Sequence, residues 1–183
     1  MTTLRFDFQR ECARRALAEL DGFCLNVGCN NDPGALKGVD PQRVINCDLF
    51  AYDTVGGWDN ATDVTFDAAH DRWPFKDRTC ALVVLGDILE HMKPVEIDHV
   101  LTEARRVAFR LCITVPEDTR ETTTDERADE YPQGAVHRTI VTEGLLRSLL
   151  TEAWWEVTDW QHVEYDNGRR WGQQVMGHFV QAE

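Results

Sequence analysis

The segment Ala81-Leu82-Val83-Val84-Leu85 places five apolar residues in a row, with no polar residue between them. A strand wetted on one face alternates apolar and polar residues, so a continuous run of this kind reads as a strand covered on both faces. Leu111-Cys112-Ile113-Thr114-Val115, stopped by Pro116, repeats the pattern. Between the two runs Pro94 opens a helix to Val107, with Ile97, Val100, Leu101, Ala104 and Val107 on one face. Covered strands joined by a helix are the building unit of an α/β fold with a mostly parallel sheet.

The rest of the chain extends that reading. Asp7 is placed to cap a first helix running to about Leu20, with Phe8, Cys12, Ala13, Ala16, Leu17 and Leu20 at helical spacing and Asp21-Gly22 ending it. Phe23 to Val27 is a short strand that runs into Gly28-Cys29-Asn30-Asn31-Asp32-Pro33-Gly34, all turn chemistry. A second strand, Arg43 to Cys47, ends at Asp48. Pro33, Gly34, Gly38 and Pro41 lie between the two strands and exclude a full helix there. Residues 49–63 read as a loop, Val64 to Phe66 as a short strand, and Trp73-Pro74-Phe75 as an ordered turn. Thr142 caps a helix through Leu145, Leu146, Leu149, Leu150 and Ala153. The tail reads as an antiparallel strand pair joined at Asp166-Asn167-Gly168. Residues 117–136 are polar and without period; a connection this long is functional or disordered, and with Tyr131 it is suited to form a lid, surface disorder being the alternative.

A chain of 183 residues fits one domain spanning 1–183. Its charge of −13, from 32 acidic and 19 basic residues, repels a phosphate backbone and makes nucleic acid an unfavoured partner. No apolar stretch reaches membrane-spanning length, and Met1 to Arg10 is polar and acid-bearing, unlike a signal peptide. The six cysteines form no CxxC pair and no metal-ligand spacing, so they read as buried, reduced thiols and no metal is assigned. A cytoplasmic protein is the expectation.

In an open parallel sheet the ligand lies beyond the carboxyl ends of the strands. Those ends are Gly28 to Asn31, Asp48, Asp67 to Trp73, Gly86-Asp87 and Glu90-His91. Gly28, lacking a Cβ, lets a ligand approach the backbone. A carboxylate one residue past the second strand, Asp48, has the chemistry to accept both hydroxyls of a ribose.

The same residues carry a resemblance. LNVGCNNDPG at Leu25 to Gly34 resembles the first motif of class I S-adenosylmethionine-dependent methyltransferases, and VINCDL at Val44 to Leu49 their second-strand acidic motif. WPFKDRTCALVVLGDILEHM at Trp73 to Met92 resembles the stretch through their fourth strand. LTEARRV with LCITVP, and HRTIVTEGLLRSLL, resemble the following helix, strand and late helix of short, small-molecule (type 11-like) members. The resemblance implies a Rossmann-like mostly parallel sheet, here with a C-terminal antiparallel strand pair; the helix between the first two strands, reduced or absent by the reading of Pro33, Gly34, Gly38 and Pro41, departs from the family. It implies S-adenosyl-L-methionine as cofactor, held by Asn26, Gly28, Cys29, Asn30, Asp48, Leu49 and Gly86, with Asp67 or Asp71 on the adenine side. Asn30 replaces a family glycine, Ala81 a family aspartate, and Ala108-Phe109-Arg110 a Pro-Gly-Gly reversal.

Methyl transfer from a sulfonium is an in-line displacement that chiefly needs alignment and exclusion of water. A hydroxyl or protonated amine acceptor also needs a base, for which His91 and His137 are candidates, with Asp87 as an alternative. Acidic residues across 117–136 favour a neutral or cationic acceptor. Trp73 is expected to border the pocket, and Trp154, Trp155 and Trp160 to pack the terminal strands or a homo-oligomer interface. The leading expectation is a methyltransferase acting on a small molecule. Its alternatives are a cofactor-binding or interaction module without turnover, and a nucleotide or nucleic-acid methyltransferase.

Overall fold

A computed structural model describes residues 4–29, 36–51, 62–117, 137–166 and 174–183. The elements are α1 (Leu4–Glu19), β1 (Phe23–Val27), β2 (Val44–Asp48), β3 (Val64–Thr65), β4 (Cys80–Gly86), α2 (Pro94–Val107), β5 (Ala108–Pro116), α3 (Glu143–Glu152), β6 (Val157–Asp166) and β7 (Gln174–Ala182). The sheet has seven strands in the order β3-β2-β1-β4-β5-β7-β6. The first five of these pair in parallel, and β7 runs antiparallel to both β5 and β6. This is the Rossmann-like sheet with a C-terminal antiparallel pair expected above. The lid expected at 117–136, Asn30 to Asp32, Tyr131 and the 166–168 turn fall wholly or largely outside the described residues.

Both faces are covered, which is why β4 and β5 read as unbroken apolar runs. On one face α1 lays Cys12, Ala13 and Ala16 against Cys24, Leu82, Val84 and Cys112. On the other, α2 and α3 bring Ile97, Val100, Leu101, Leu146 and Leu150 onto Leu25, Val83, Leu85, Leu111 and Ile113. Between β1 and β2 the described residues hold no α-helix. There is a turn at 36–39 and a single 3-10 turn, Pro41–Arg43, whose Gln42 N–H is capped by Asp40 at 3.0 Å. Leu36 and Val39 take the place of the helix and bury against the α1 side of the sheet. Arg43 then donates to the carbonyls of Leu17 (2.7 Å), Leu20 (2.7 Å) and Gly22 (3.0 Å), closing the C-terminal end of α1, where helical carbonyls lack partners.

Some boundaries differ from expectation. Asp7 does not cap α1, which begins at Leu4; its carboxylate instead pairs with Arg10 one turn on, at 2.6 Å. β5 begins three residues early because α2 passes into it with no intervening turn, Ala108 being both helix cap and first strand residue. Trp73 is buried and does not border the cleft described below. It stands behind Phe66, ring centroids 5.5 Å apart, and donates its indole N–H to Ala68. Trp155 is buried and bonded to the Leu101 carbonyl, and Trp160 lies under the Arg147 guanidinium, whereas Trp154 is 84% exposed. All six cysteines are buried and free, as expected. Burial pushes the thiols of Cys24, Cys47, Cys80 and Cys112 above the ordinary range, and that of Cys29 to about 12 with the help of the neighbouring Asp48 charge.

Candidate functional site

After β1 the chain moves outward to β2 and β3, and it then returns to β4 on the other side of β1. Strand order therefore reverses between β1 and β4, and the loops leaving their carboxyl ends diverge and leave a crevice. A cleft of about 440 Å³ lies there. Gly28, Asp48, Leu49, Asp67, Asp87 and His91, all singled out from the sequence, line it. Asn26, Cys29, Asp71, Gly86 and His137 do not, and Asn30 is outside the described residues.

Gly28 has φ +72°, which L side chains rarely adopt, and a Cβ built on it would stand 2.6 Å from Ile88 Cδ1. Its bareness therefore serves both the turn and the seating of Ile88, itself a cleft residue. The N–H groups of Gly28 (2.9 Å) and Cys29 (3.1 Å) both donate to the Cys47 carbonyl, tying the loop to the end of β2. Asn26 is buried within β1 and donates to Asn46 on β2 at 3.0 Å, so it bonds one strand to the next instead of facing the cleft.

Asp48 ends β2. Its Oδ1 accepts the Phe50 N–H at 3.2 Å and its carbonyl accepts the Phe66 N–H at 3.0 Å, which fixes the carboxylate at the mouth. Asp67 and Asp71 belong to one turn. Asp71 accepts the Asp67 N–H (2.9 Å), while Asp67 accepts the Ala69 N–H (2.9 Å) and meets His70 Nδ1 (2.9 Å). Of the two acids, Asp67 lines the cleft. The hydrogen bond to Asp67 raises the His70 ring above the ordinary histidine range, and Glu96, 3.5 Å from its Nε2, adds to this.

On the β4 side, Gly86 is bare for a reason the sequence did not disclose. A Cβ there would lie 2.5 Å from Gln9 Nε2, whose amide donates to Thr114 Oγ1 at 2.6 Å in the buried interior. The missing side chain makes room for α1. Asp87 follows with φ 51°, held by its own N–H on the Thr114 carbonyl (2.8 Å) and by an ion pair with Arg5 of α1. A left-handed aspartate at a strand end is a strained arrangement of the kind that marks functional loops.

The 3-10 turn Leu89–His91 carries the remaining groups. Glu90 is buried and its carbonyl accepts the N–H groups of Arg138 (2.7 Å) and Thr139 (3.2 Å). Thr139 Oγ1 also donates to the Met92 carbonyl at 2.6 Å. These bonds bring two distant sequence segments together. They stack His137 edge-on against His91, with centroids 4.9 Å apart, and place Arg138 on the cleft wall. His137 is itself buried. Arg138, His70 and Glu96 were missed from the sequence; only the adjacency of Arg138 to His137 hinted at one of them.

No family model matches the chain, and no curated protein matches it by sequence. Solved structures match by shape. A SAM-dependent methyltransferase from Archaeoglobus fulgidus aligns with TM-score 0.61 at 13% identity, over 97% of this chain and 93% of that one. The 1,6-didemethyltoxoflavin-N1-methyltransferase of Burkholderia thailandensis, solved with its substrate and S-adenosylhomocysteine bound, aligns with TM-score 0.60 at 18% identity, over 96% and 77%. The cyclase SpnF aligns with TM-score 0.60 at 16% identity, over 97% and 79%. At such identities shape alone is shared, and one fold hosts more than one chemistry. The chain has the fold of the class I S-adenosylmethionine-dependent methyltransferases.

Proposed function

We propose that the cleft binds S-adenosylmethionine and that the protein transfers its methyl group to a hydroxyl or amine of a small molecule. The observation that carries this reading is the placement of the Asp48 carboxylate at the end of β2, lining one cleft with bare Gly28 and with Asp67 of the neighbouring strand end, at the crevice where strand order reverses. The donor set fits the cofactor. Asp48 suits the ribose hydroxyls and Asp67 the adenine side. Leu49, Phe50 and Ile88 offer apolar walls, and the carboxylates favour a cationic ligand. Cleft volume is within the range of small-molecule sites.

When bound, the cofactor supplies an electrophilic methyl group on sulfur. The chain's own work is then to align the acceptor, keep water out and remove a proton. Among the base candidates His91 alone combines a titratable ring with a place on the cleft wall. His137, packed against it, positions that ring. Asp87 is engaged by Arg5, which makes it a support for the rim. A second reading, cofactor binding without turnover, draws on the Gly28 and Cys29 amides, both already donated to Cys47. The charge of −13 weighs against a nucleic-acid acceptor.

Titration calorimetry with S-adenosylmethionine and S-adenosylhomocysteine tests the proposal. Both should bind the folded protein; if neither does, the proposal is wrong. Release of S-adenosylhomocysteine in the presence of hydroxyl and amine acceptors separates turnover from binding alone.

A further inference from the structure

The antiparallel pairing at the edge of the sheet aligns Val115 of β5, His178 of β7 and His162 of β6 in one row. Side chains opposite one another across paired strands share a face, and Glu117, two residues beyond Val115, returns to it. Three groups separated by 45 and 16 residues along the chain thereby converge. Glu117 Oε2 lies 3.1 Å from His162 Nε2 and 3.6 Å from His178 Nε2, and the donor atoms of all three residues lie within 4.8 Å of one another.

We propose that Glu117, His162 and His178 form a binding site for a divalent transition-metal ion of the zinc class. The spacing supports this. Donors about 2.1 Å from a tetrahedral ion stand about 3.4 Å from each other, and the two separations, 3.1 and 3.6 Å, bracket that value. His178 supports it independently. Its side chain is fully buried, and neither ring nitrogen has a hydrogen-bond partner among the described residues. A buried imidazole that makes no hydrogen bond, its Nε2 meeting Glu117 only at 3.6 Å, forfeits the solvation of both nitrogens, a cost an ion at Nε2 would offset. The rings of His162 and His178 stack at 4.6 Å with planes 28° apart, and both Nε2 atoms approach the same Glu117 oxygen. Two imidazoles and one carboxylate match the ligand preference of zinc and leave a coordination position open. None of the three residues lines the cofactor cleft, so the site stands whether or not the cleft binds S-adenosylmethionine.

The test is a titration of chelator-treated, full-length protein with Co²⁺, read by visible absorption and followed by displacement with Zn²⁺. About one equivalent should bind, with the intense bands of a low-coordinate N/O site. His178 is interior, and its variants risk misfolding, so His162→Gln and Glu117→Gln carry the argument; both positions are partly exposed. Each should weaken Co²⁺ binding at least about tenfold while leaving the far-ultraviolet circular dichroism unchanged. Absence of binding in the wild type, or undiminished binding in His162→Gln, overturns the proposal. So does loss of binding in His91→Gln alone, which would move the ion to the Glu90, His91 and His137 group beside the cleft.

Discussion

The carboxylate of Asp87, on the rim of the cleft, is ion-paired with the guanidinium of Arg5 in the first turn of α1. Both side chains are largely shielded, 16% and 11% exposed, so solvent screens the pair little. Removing one partner leaves a shielded charge with less compensation, which typically costs about 3 kcal/mol. Arg5→Ala and Asp87→Ala should each lose stability on that order, and the double variant should lose less than the sum, with a coupling of about 1–3 kcal/mol. Urea unfolding of the four proteins measures it. Additive losses would mean that the pair does not hold α1 to the rim.

Gly28 is constrained twice, by φ +72° and by Ile88 Cδ1 2.6 Å from where a Cβ would go. Gly28→Ala should therefore cost about 1–3 kcal/mol. The two causes can be told apart. Ile88→Val removes the Cδ1 atom, so adding it to Gly28→Ala should restore part of the loss and leave the backbone part. If Ile88→Val in the alanine background only adds to the damage, Ile88 is not what the glycine accommodates.

The fold was legible because its two central strands are covered on both faces and say so in composition. β1 and α2 fall on the expected residues, as apolar periodicity and Pro94 mark them. α2 into β5 was misplaced because no turn residue separates them. The site was legible where topology alone positions a residue, as with Asp48, Asp67 and Gly28 at strand ends. It was illegible where tertiary bonds do the positioning. Arg138 reaches the cleft because its N–H bonds the Glu90 carbonyl 48 residues away. Gly86 looked like a ligand glycine, and Gln9 occupies the space. The Glu117, His162 and His178 group arises from strand register, which residue types at those positions do not encode.

If Asp48 grips a ribose, replacing it should cost affinity more than stability. Its Oδ1 also caps the Phe50 N–H. Asp48→Asn keeps an acceptor for that cap and halves the acceptors offered to hydroxyls. Asp48→Ala removes both. S-adenosylhomocysteine affinity should fall about tenfold or more in Asn and further in Ala, while the Asn variant unfolds within about 1 kcal/mol of wild type. Equal affinity in all three proteins by calorimetry would remove Asp48 from the ribose site.

Glu103 of α2 predicts how the wall behind the cleft responds to acid. Its carboxylate accepts the Trp73 N–H at 2.8 Å and two Arg106 N–H groups at 2.9 and 2.6 Å, and Arg106 also reaches the Trp73 and Phe75 carbonyls and Asp77. Burial by itself raises a carboxyl. Here the Arg106 hydrogen bonds, the Trp73 N–H and the Arg106 charge outweigh it and hold Glu103 below the ordinary carboxylate range. The folded state thus binds this proton less readily than the unfolded chain. The stabilisation is fully present above the unfolded glutamate value, about 4.3, and is lost as pH falls through the lower folded value. Glu103→Gln should cost about 2–3 kcal/mol near pH 7, and the gap to wild type should narrow steadily once pH drops below about 5. Urea midpoints over a pH series test this: curves for the two proteins that run parallel from neutral pH into acid would show that the Glu103 and Arg106 pair does not couple stability to pH.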